Sequence, residues 1–364
     1  MEFMKRLVRA ISMAFSMTAF LNLSAQTRHV TIATAPAAPG GGQPDSSLEV
    51  YGRPQQLVDI GGRRLNLFCL GDGSPTVILE GGLGDSTFAW RKVHAELAKT
   101  TRVCAYDRAG YGFSDPGPLP RDTAHLADDL AALTEAAPLR PPYVLVGASL
   151  GGMIVRLYAD SHLREVGGMV LIDPHIEHEE RRLTPVSPGF LPRIEEETEE
   201  LRVCLAAVEA GVPAPGSKAA TDCVSDPDPE FPAAVNAHFT ELSSHPAFYR
   251  ESLSEQAESF SAGSDQVAAS KRSYGDLPLI VLTATKPSSR DPNHRDPEFE
   301  ARAKVVSAMH DEVAHLSSRG VNRSVAATHN TMLDAPQLVI GAVNEVVTEE
   351  RQHLGKLRTD AVKP

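Results

Sequence analysis

From residue 55 onward, short apolar runs alternate with stretches whose apolar residues recur at helical spacing. Gln55–Ile60 and Arg64–Leu70 flank Gly61-Gly62, the pattern of two strands joined by a tight turn. Thr76–Leu79 reads as a strand, Trp90–Ala98 as a helix, Arg102–Tyr106 as a strand and Thr123–Ala137 as a helix. Tyr143–Val146 is a strand that runs directly into Gly147-Ala148-Ser149-Leu150-Gly151. Leu150–Asp160 then reads as a helix and Gly168–Ile172 as a strand. Strands that are apolar throughout need cover on both faces, so the alternation predicts an α/β fold with a doubly wound, mostly parallel sheet.

The rhythm breaks after Asp173. Residues 174–276 are charged, Pro-rich and helix-leaning, with no clear apolar strand. It resumes with a strand at Leu277–Thr283, a polar loop at 285–296, a helix over 297–318 and a strand at Asn322–Ala327. A last helix starts at Ala335, with Asp334 as N-cap, Pro336 in the first turn and Gln337 three residues after the cap. The pattern predicts a core in two parts, 51–173 and 277–364, with 174–276 inserted as a helical cap. No internal repeat is present.

Upstream of the core the character changes. Lys5, Arg6 and Arg9 precede an uncharged apolar run from Ala10 to Leu23, and Ser24-Ala25 offers small residues for cleavage. Residues 1–25 therefore read as an export signal, with an uncleaved anchor as the rival. The run is short for a bilayer span, so no stable membrane insertion is expected once the signal is removed. Residues 26–50, with Ala-Pro-Ala-Ala-Pro-Gly-Gly-Gly at 35–42, read as a flexible linker. Export places the mature chain in a periplasmic or extracellular setting. The net charge of −12 argues against a nucleic-acid partner, because phosphate binding needs a basic face.

Four cysteines in an exported chain permit disulfides. Cys69 and Cys104 lie in apolar strand-like runs and read as small core residues. Cys204 and Cys223 lie in the charged inserted region and are expected to pair.

Gly147-x-Ser149-x-Gly151 carries the chemistry. A serine hydroxyl is a weak nucleophile and must be exposed, deprotonated by a neighbour and faced by an oxyanion site. A sharp strand-to-helix turn exposes it, and small residues at 147, 148, 151 and 152 let that turn form. The helix N-terminus then offers the Leu150 N–H where negative charge develops.

Three segments in order resemble the α/β-hydrolase family. Val77-Ile-Leu-Glu-Gly-Gly-Leu-Gly-Asp-Ser-Thr-Phe-Ala-Trp90 is similar to its oxyanion-loop region. Tyr106-Asp-Arg-Ala-Gly-Tyr-Gly-Phe-Ser114 is similar to its Asp-Arg-x-Gly-x-Gly-x-Ser segment, and Tyr143–Gly152 to its nucleophile strand. The resemblance covers about 55–173 strongly, 277–350 moderately and the cap only vaguely. It implies a Ser-His-acid triad, a backbone oxyanion hole and no cofactor.

Ser149 is then the nucleophile. The base belongs on the loop before the last helix, where His329 lies. For the acid, Asp173 ends the strand after the elbow helix, and Asp291 follows the next strand; Asp173 is the favoured of the two. Asp296 reads instead as a helix N-cap. Alignment on Trp90 puts Leu83 at the second oxyanion donor, with Gly82 as its rival, beside Leu150. The sequence departs from the family's frequent His-Gly there, having Glu80 before Gly81-Gly82. Glu80, Asp107 and Arg108 read as structural. Among the other histidines, His310 and His315 read as solvated helix residues. His175-Ile-Glu-His178 lacks an evident third ligand for a metal.

The expected function is hydrolysis of a small-molecule ester, or a lactone or amide, through an acyl-enzyme. The alternatives are a cofactor-free haloperoxidase or carbon–carbon hydrolase on the same triad, and a non-catalytic hydrolase-like binding protein. Epoxide or haloalkane hydrolysis would want Asp in place of Ser149. The sequence names neither the substrate nor the oligomeric state.

Overall fold

The computed structural model describes residues 44–214, 216–270, 273–287 and 296–361, with side chains as far as 356. The expected signal segment lies outside the described residues.

Eight strands form one sheet: β1 (Gln56–Asp59), β2 (Arg64–Leu70), β3 (Thr76–Glu80), β4 (Val103–Tyr106), β5 (Tyr143–Ala148), β6 (Val166–Ile172), β7 (Leu279–Ala284) and β8 (Gly320–Val325). Their order is β1-β2-β4-β3-β5-β6-β7-β8. β1, β2 and β4 pair antiparallel, and every other pairing is parallel. The chain leaves β3 for β4 on one side and returns to β5 on the other, so the order reverses between β3 and β5. In open α/β sheets that reversal opens a crevice at the carboxyl ends of the strands.

Side chains of a strand alternate between faces, and the inner strands bury both sets. Leu145, Met169, Leu171 and Val281 pack under the helices Thr123–Ala136, Leu150–His162 and Phe299–Ala314. Val144, Val146, Val170, Ile172, Ile280 and Leu282 face the other way, against Trp90, Leu97 and the Val339–Val347 stripe of the helix Pro336–Ala361. Two apolar layers therefore clamp the sheet, and the doubly wound reading holds.

Between β6 and β7 the described residues form helices only: Glu179–Leu183, Phe190–Glu209, Lys218–Cys223, Ala233–Leu242, Pro246–Ser259 and Ala262–Ser270. Among the described residues no helix is long and apolar enough to cross a membrane.

Several local expectations need correction. The linker was expected to reach residue 50, yet Ser46–Gly52 is a 3-10 helix. Tyr51 is buried there against Phe68, Phe88 and Val235, with Leu48 and Val50 packed beside it. Three apolar side chains are enough to dock a segment whose composition otherwise reads as linker. Trp90–Ala98 is not one helix: a 3-10 turn, Thr87–Trp90, precedes a single α turn, His94–Leu97. Asp334 does not cap the last helix. It ends a one-turn helix, Thr331–Asp334, and its carboxylate accepts the Thr328 hydroxyl. Cys204 and Cys223 are bonded, as expected. Cys69 and Cys104 are bonded too, contrary to the core-thiol reading. They are directly opposite across the antiparallel β2–β4 pair, a register invisible in the sequence.

Candidate active site

β5 delivers Ser149 at its carboxyl end. Ser149 has φ 51° and ψ −122°, a backbone that L-residues rarely adopt. Two close approaches hold this elbow. A Cβ at Gly147 would lie 2.5 Å from the Gly151 carbonyl oxygen, and one at Gly152 would lie 2.5 Å from the Pro174 Cβ. Only glycine lets the strand, the helix and the next loop meet so closely.

The register of β5 with β6 pairs Ala148 with Ile172, which sets Ser149 beside Asp173. Asp173 also has positive φ, 41°. Its N–H donates to Leu282 O at 2.7 Å, and its Oδ1 accepts the Ala284 N–H at 3.0 Å. The other oxygen, Oδ2, is 2.5 Å from His329 Nδ1. Burial by itself would raise the Asp173 carboxyl. The His329 hydrogen bond and charge, with help from His310 and the Ala284 N–H, outweigh burial and hold it below the usual carboxylate range. His329 lies between β8 and the Thr331–Asp334 turn. Among the described residues no hydrogen bond joins Ser149 to His329; such contacts often close only around substrate. Asp291 lies outside the described residues. Asp296 does not cap a helix as expected: the helix Phe299–Ala314 has Glu298 as its N-cap, and Asp296, two residues earlier, accepts the Glu298 N–H at 3.0 Å and pairs with Arg302 at 2.7 Å.

The loop after β3 forms the opposite wall. β3 pairs Glu80 with Gly147, so Gly81 and Gly82 run past the elbow. A Cβ at Gly82 would lie 3.2 Å from the Ser149 Cβ, and one at Gly151 would lie 2.5 Å from the Glu80 carbonyl. The Gly82 N–H donates to Asp85 Oδ2 at 2.9 Å. That removes Gly82 from the two candidate donors. Among the described residues no protein acceptor takes the N–H of Leu83 or of Leu150.

The family model described as alpha/beta hydrolase fold matches residues 75–206, from β3 through the elbow into the insertion. Together with the sheet order, that match gives this chain the α/β-hydrolase fold. Among curated relatives, the probable transporter efuK of Hormonema carpetanum is 32% identical over 142 residues, 37% of this chain and 20% of that protein. The uncharacterized protein YqjL of Bacillus subtilis is 34% identical over 104 residues, 29% of this chain and 41% of that protein. The chain thus spans less than half the length of these relatives. Among solved structures, the epoxide hydrolase CorEH aligns with TM-score 0.57 at 18% identity, covering 81% of this chain and 98% of that one. Est816, described as an N-acyl homoserine lactone degrading enzyme, aligns with TM-score 0.51 at 16% identity, covering 80% and 99%. At such identities the likeness is one of fold.

Within this α/β-hydrolase fold, several residues matter more than the sequence suggested. His310 is buried rather than solvated, because its helix packs against β7 and β8. Its Nδ1 is 2.7 Å from Thr283 Oγ1, and its Nε2 is 3.0 Å from the carbonyl of Pro174, the residue after Asp173. His310 therefore props the strained turn that carries the candidate acid. Burial draws its basicity down, against the pull of Asp173. Asp85 was not singled out at all; an acid three residues past a Gly-Gly pair gives little signal. His175 and His178 do not converge on a shared ligand: His175 Nδ1 lies 3.2 Å from Glu179, and His178 Nε2 lies 3.3 Å from Asp265.

Proposed function

We propose that this chain is an exported serine hydrolase that cleaves a carboxylic ester, or a related lactone or amide, through Ser149, His329 and Asp173. The observation that carries this reading is the 2.5 Å Asp173–His329 contact beside a serine on a strained elbow. A carboxylate on Nδ1 fixes the imidazole tautomer that leaves Nε2 free to accept a proton. A serine rather than an aspartate at the elbow favours acyl transfer over the epoxide chemistry named for CorEH.

Ser149 Oγ would attack the carbonyl carbon as its proton passes to His329 Nε2. The tetrahedral oxyanion would sit between the N–H groups of Leu150 and Leu83. Its collapse expels the leaving group, which takes the proton from His329. Water, deprotonated by His329, then attacks the acyl-serine, and the second tetrahedral intermediate collapses to release the acid as His329 returns the proton to Ser149 Oγ. Asp173 remains ionised throughout and balances the imidazolium.

The two disulfides support the exported reading, because such bonds persist in oxidising compartments. Amino-terminal sequencing of periplasmic material should begin near residue 26; a chain retaining Met1 would refute cleavage. Function is tested with a fluorophosphonate probe, peptide mapping and p-nitrophenyl esters of graded acyl length. Label on Ser149 with ester turnover is expected. Absence of both would sink the proposal.

A further inference from the structure

The loop after β3 is held from within by Asp85 and from behind by Arg108. Arg108, 2% exposed, follows β4 and reaches under the loop after β3. Its Nη1 donates to Gly81 O at 2.8 Å and to Glu80 Oε1 at 2.8 Å. Its Nη2 donates to Gly82 O at 2.7 Å. The opposite edge of the guanidinium grips Glu255: Nε to Oε1 at 2.9 Å and Nη2 to Oε2 at 2.8 Å. Glu255 belongs to the inserted helix Pro246–Ser259 and also accepts the Tyr111 hydroxyl at 3.0 Å. Tyr106 donates to the remaining oxygen of Glu80.

These contacts fix two successive peptide planes. In a trans peptide the C=O and the following N–H point in opposite directions. Holding Gly81 O on Arg108 turns the Gly82 N–H away from it, and that N–H meets Asp85. Holding Gly82 O on the same guanidinium turns the Leu83 N–H away likewise, on a loop that lies against Ser149. A glycine pair resists peptide rotation weakly. Asp85 also holds this loop, with Oδ2 on the Gly82 N–H at 2.9 Å and its N–H on Gly82 O at 3.2 Å, but those bonds are internal to the loop, whereas the Arg108 anchors tie both carbonyls to the residue after β4 and, through Glu255, to the inserted helix.

We propose that Arg108 is a positioning residue that sets the oxyanion loop, and that Glu255 couples this setting to the inserted helical segment. The inference rests on the serine-hydrolase reading above. It makes oxyanion stabilisation depend on where the helix Pro246–Ser259 sits, so a substrate that seats that helix would also seat the donor.

The test compares a tetrahedral adduct with a ground-state ligand. An alkylboronic acid bonded to Ser149 presents an oxygen to the oxyanion donors, whereas KM reports mainly substrate contacts. Arg108→Lys keeps a positive charge between Glu80 and Glu255 but cannot span both carbonyls. It should lower kcat about 10- to 100-fold and weaken the boronic acid by a similar factor, with KM within about 3-fold; deleting one such donor outright costs roughly 100- to 1,000-fold. Glu255→Gln leaves Arg108 in place and carries the test if the lysine variant does not fold. It should weaken boronic-acid binding by about 3- to 10-fold. A role in stability alone would lower Tm and leave boronic-acid affinity in the folded variants unchanged, and that result overturns the inference. Wild type that takes neither fluorophosphonate nor boronic acid overturns the hydrolase reading and this inference with it. Wild type that takes both, with variants that bind the boronic acid equally well, overturns this inference alone.

Discussion

Replacing Asp173 with Asn sharpens the site's logic because the two oxygens of Asp173 have different partners. Oδ1 accepts the Ala284 N–H at 3.0 Å, and Oδ2 faces His329 Nδ1 at 2.5 Å. Asparagine can present only one oxygen. If that oxygen faces His329, its NH2 meets the Ala284 N–H, and two buried donors oppose each other. An unsatisfied buried donor costs about 1–3 kcal/mol, so this orientation is disfavoured by roughly 5- to 150-fold. The oxygen therefore turns to Ala284 and the NH2 to His329. Nδ1 must then accept, the ring proton moves to Nε2, and His329 can no longer take the proton of Ser149. A wrong tautomer of this kind lowers kcat by roughly 10,000-fold. The fold should survive, since Asn is among the residues that tolerate positive φ. Initial rates on a short-chain p-nitrophenyl ester give kcat and KM, and a melting curve checks the fold. Asp291→Asn should change little in the same assay. A folded Asp173→Asn enzyme keeping more than a tenth of wild-type kcat would refute the reasoning, decisively so if Asp291→Asn were the inactive variant.

Ser149→Ala and His329→Ala should each abolish hydrolysis, and the double variant should be scarcely worse, because the pair acts as a unit; additive losses in kcat would contradict this. Glu251 is buried, accepts the Gly117 N–H at 2.9 Å and is pushed up from 4.5 to about 7, chiefly by burial. The folded chain then keeps a proton that the unfolded chain releases near 4.5. Its stabilising share is complete below about pH 4.5 and is lost as pH rises through about 7. Glu251→Gln should therefore raise Tm at pH 8 by roughly 2–4 °C and leave it nearly unchanged at pH 5; an equal shift at both pH values would count against it. The Cys204–Cys223 bond closes a sequence separation of 19 residues, so Cys204→Ser with Cys223→Ser should cost roughly 3 kcal/mol in denaturant unfolding. A loss below about 0.5 kcal/mol would show that the bond constrains little.

What the sequence determined by itself was local. Apolar strands at 76–79, 143–146 and 168–172, separated by helical stretches, specify a covered parallel sheet because no other arrangement buries both faces of each strand. The small residues around Ser149 specify an elbow because only they fit where Gly147 meets Gly151 and Gly152 meets Pro174. What needed tertiary structure was every partnership across distance. Asp173 and His329 are 156 residues apart, and the parallel register of β5, β6 and β7 brings Asp173 to the side of Ser149. The Cys69–Cys104 bond depends on an antiparallel register between strands separated in sequence by β3. His310 read as solvated because helical periodicity does not say which neighbour covers a face. Arg108 reads as structural in the sequence; its grip on Gly81, Gly82 and Glu255 exists only once β4, the loop after β3 and the inserted helix meet. A pattern along the chain reports what each segment must bury, whereas the aim of a hydrogen bond is decided by what the fold places opposite it.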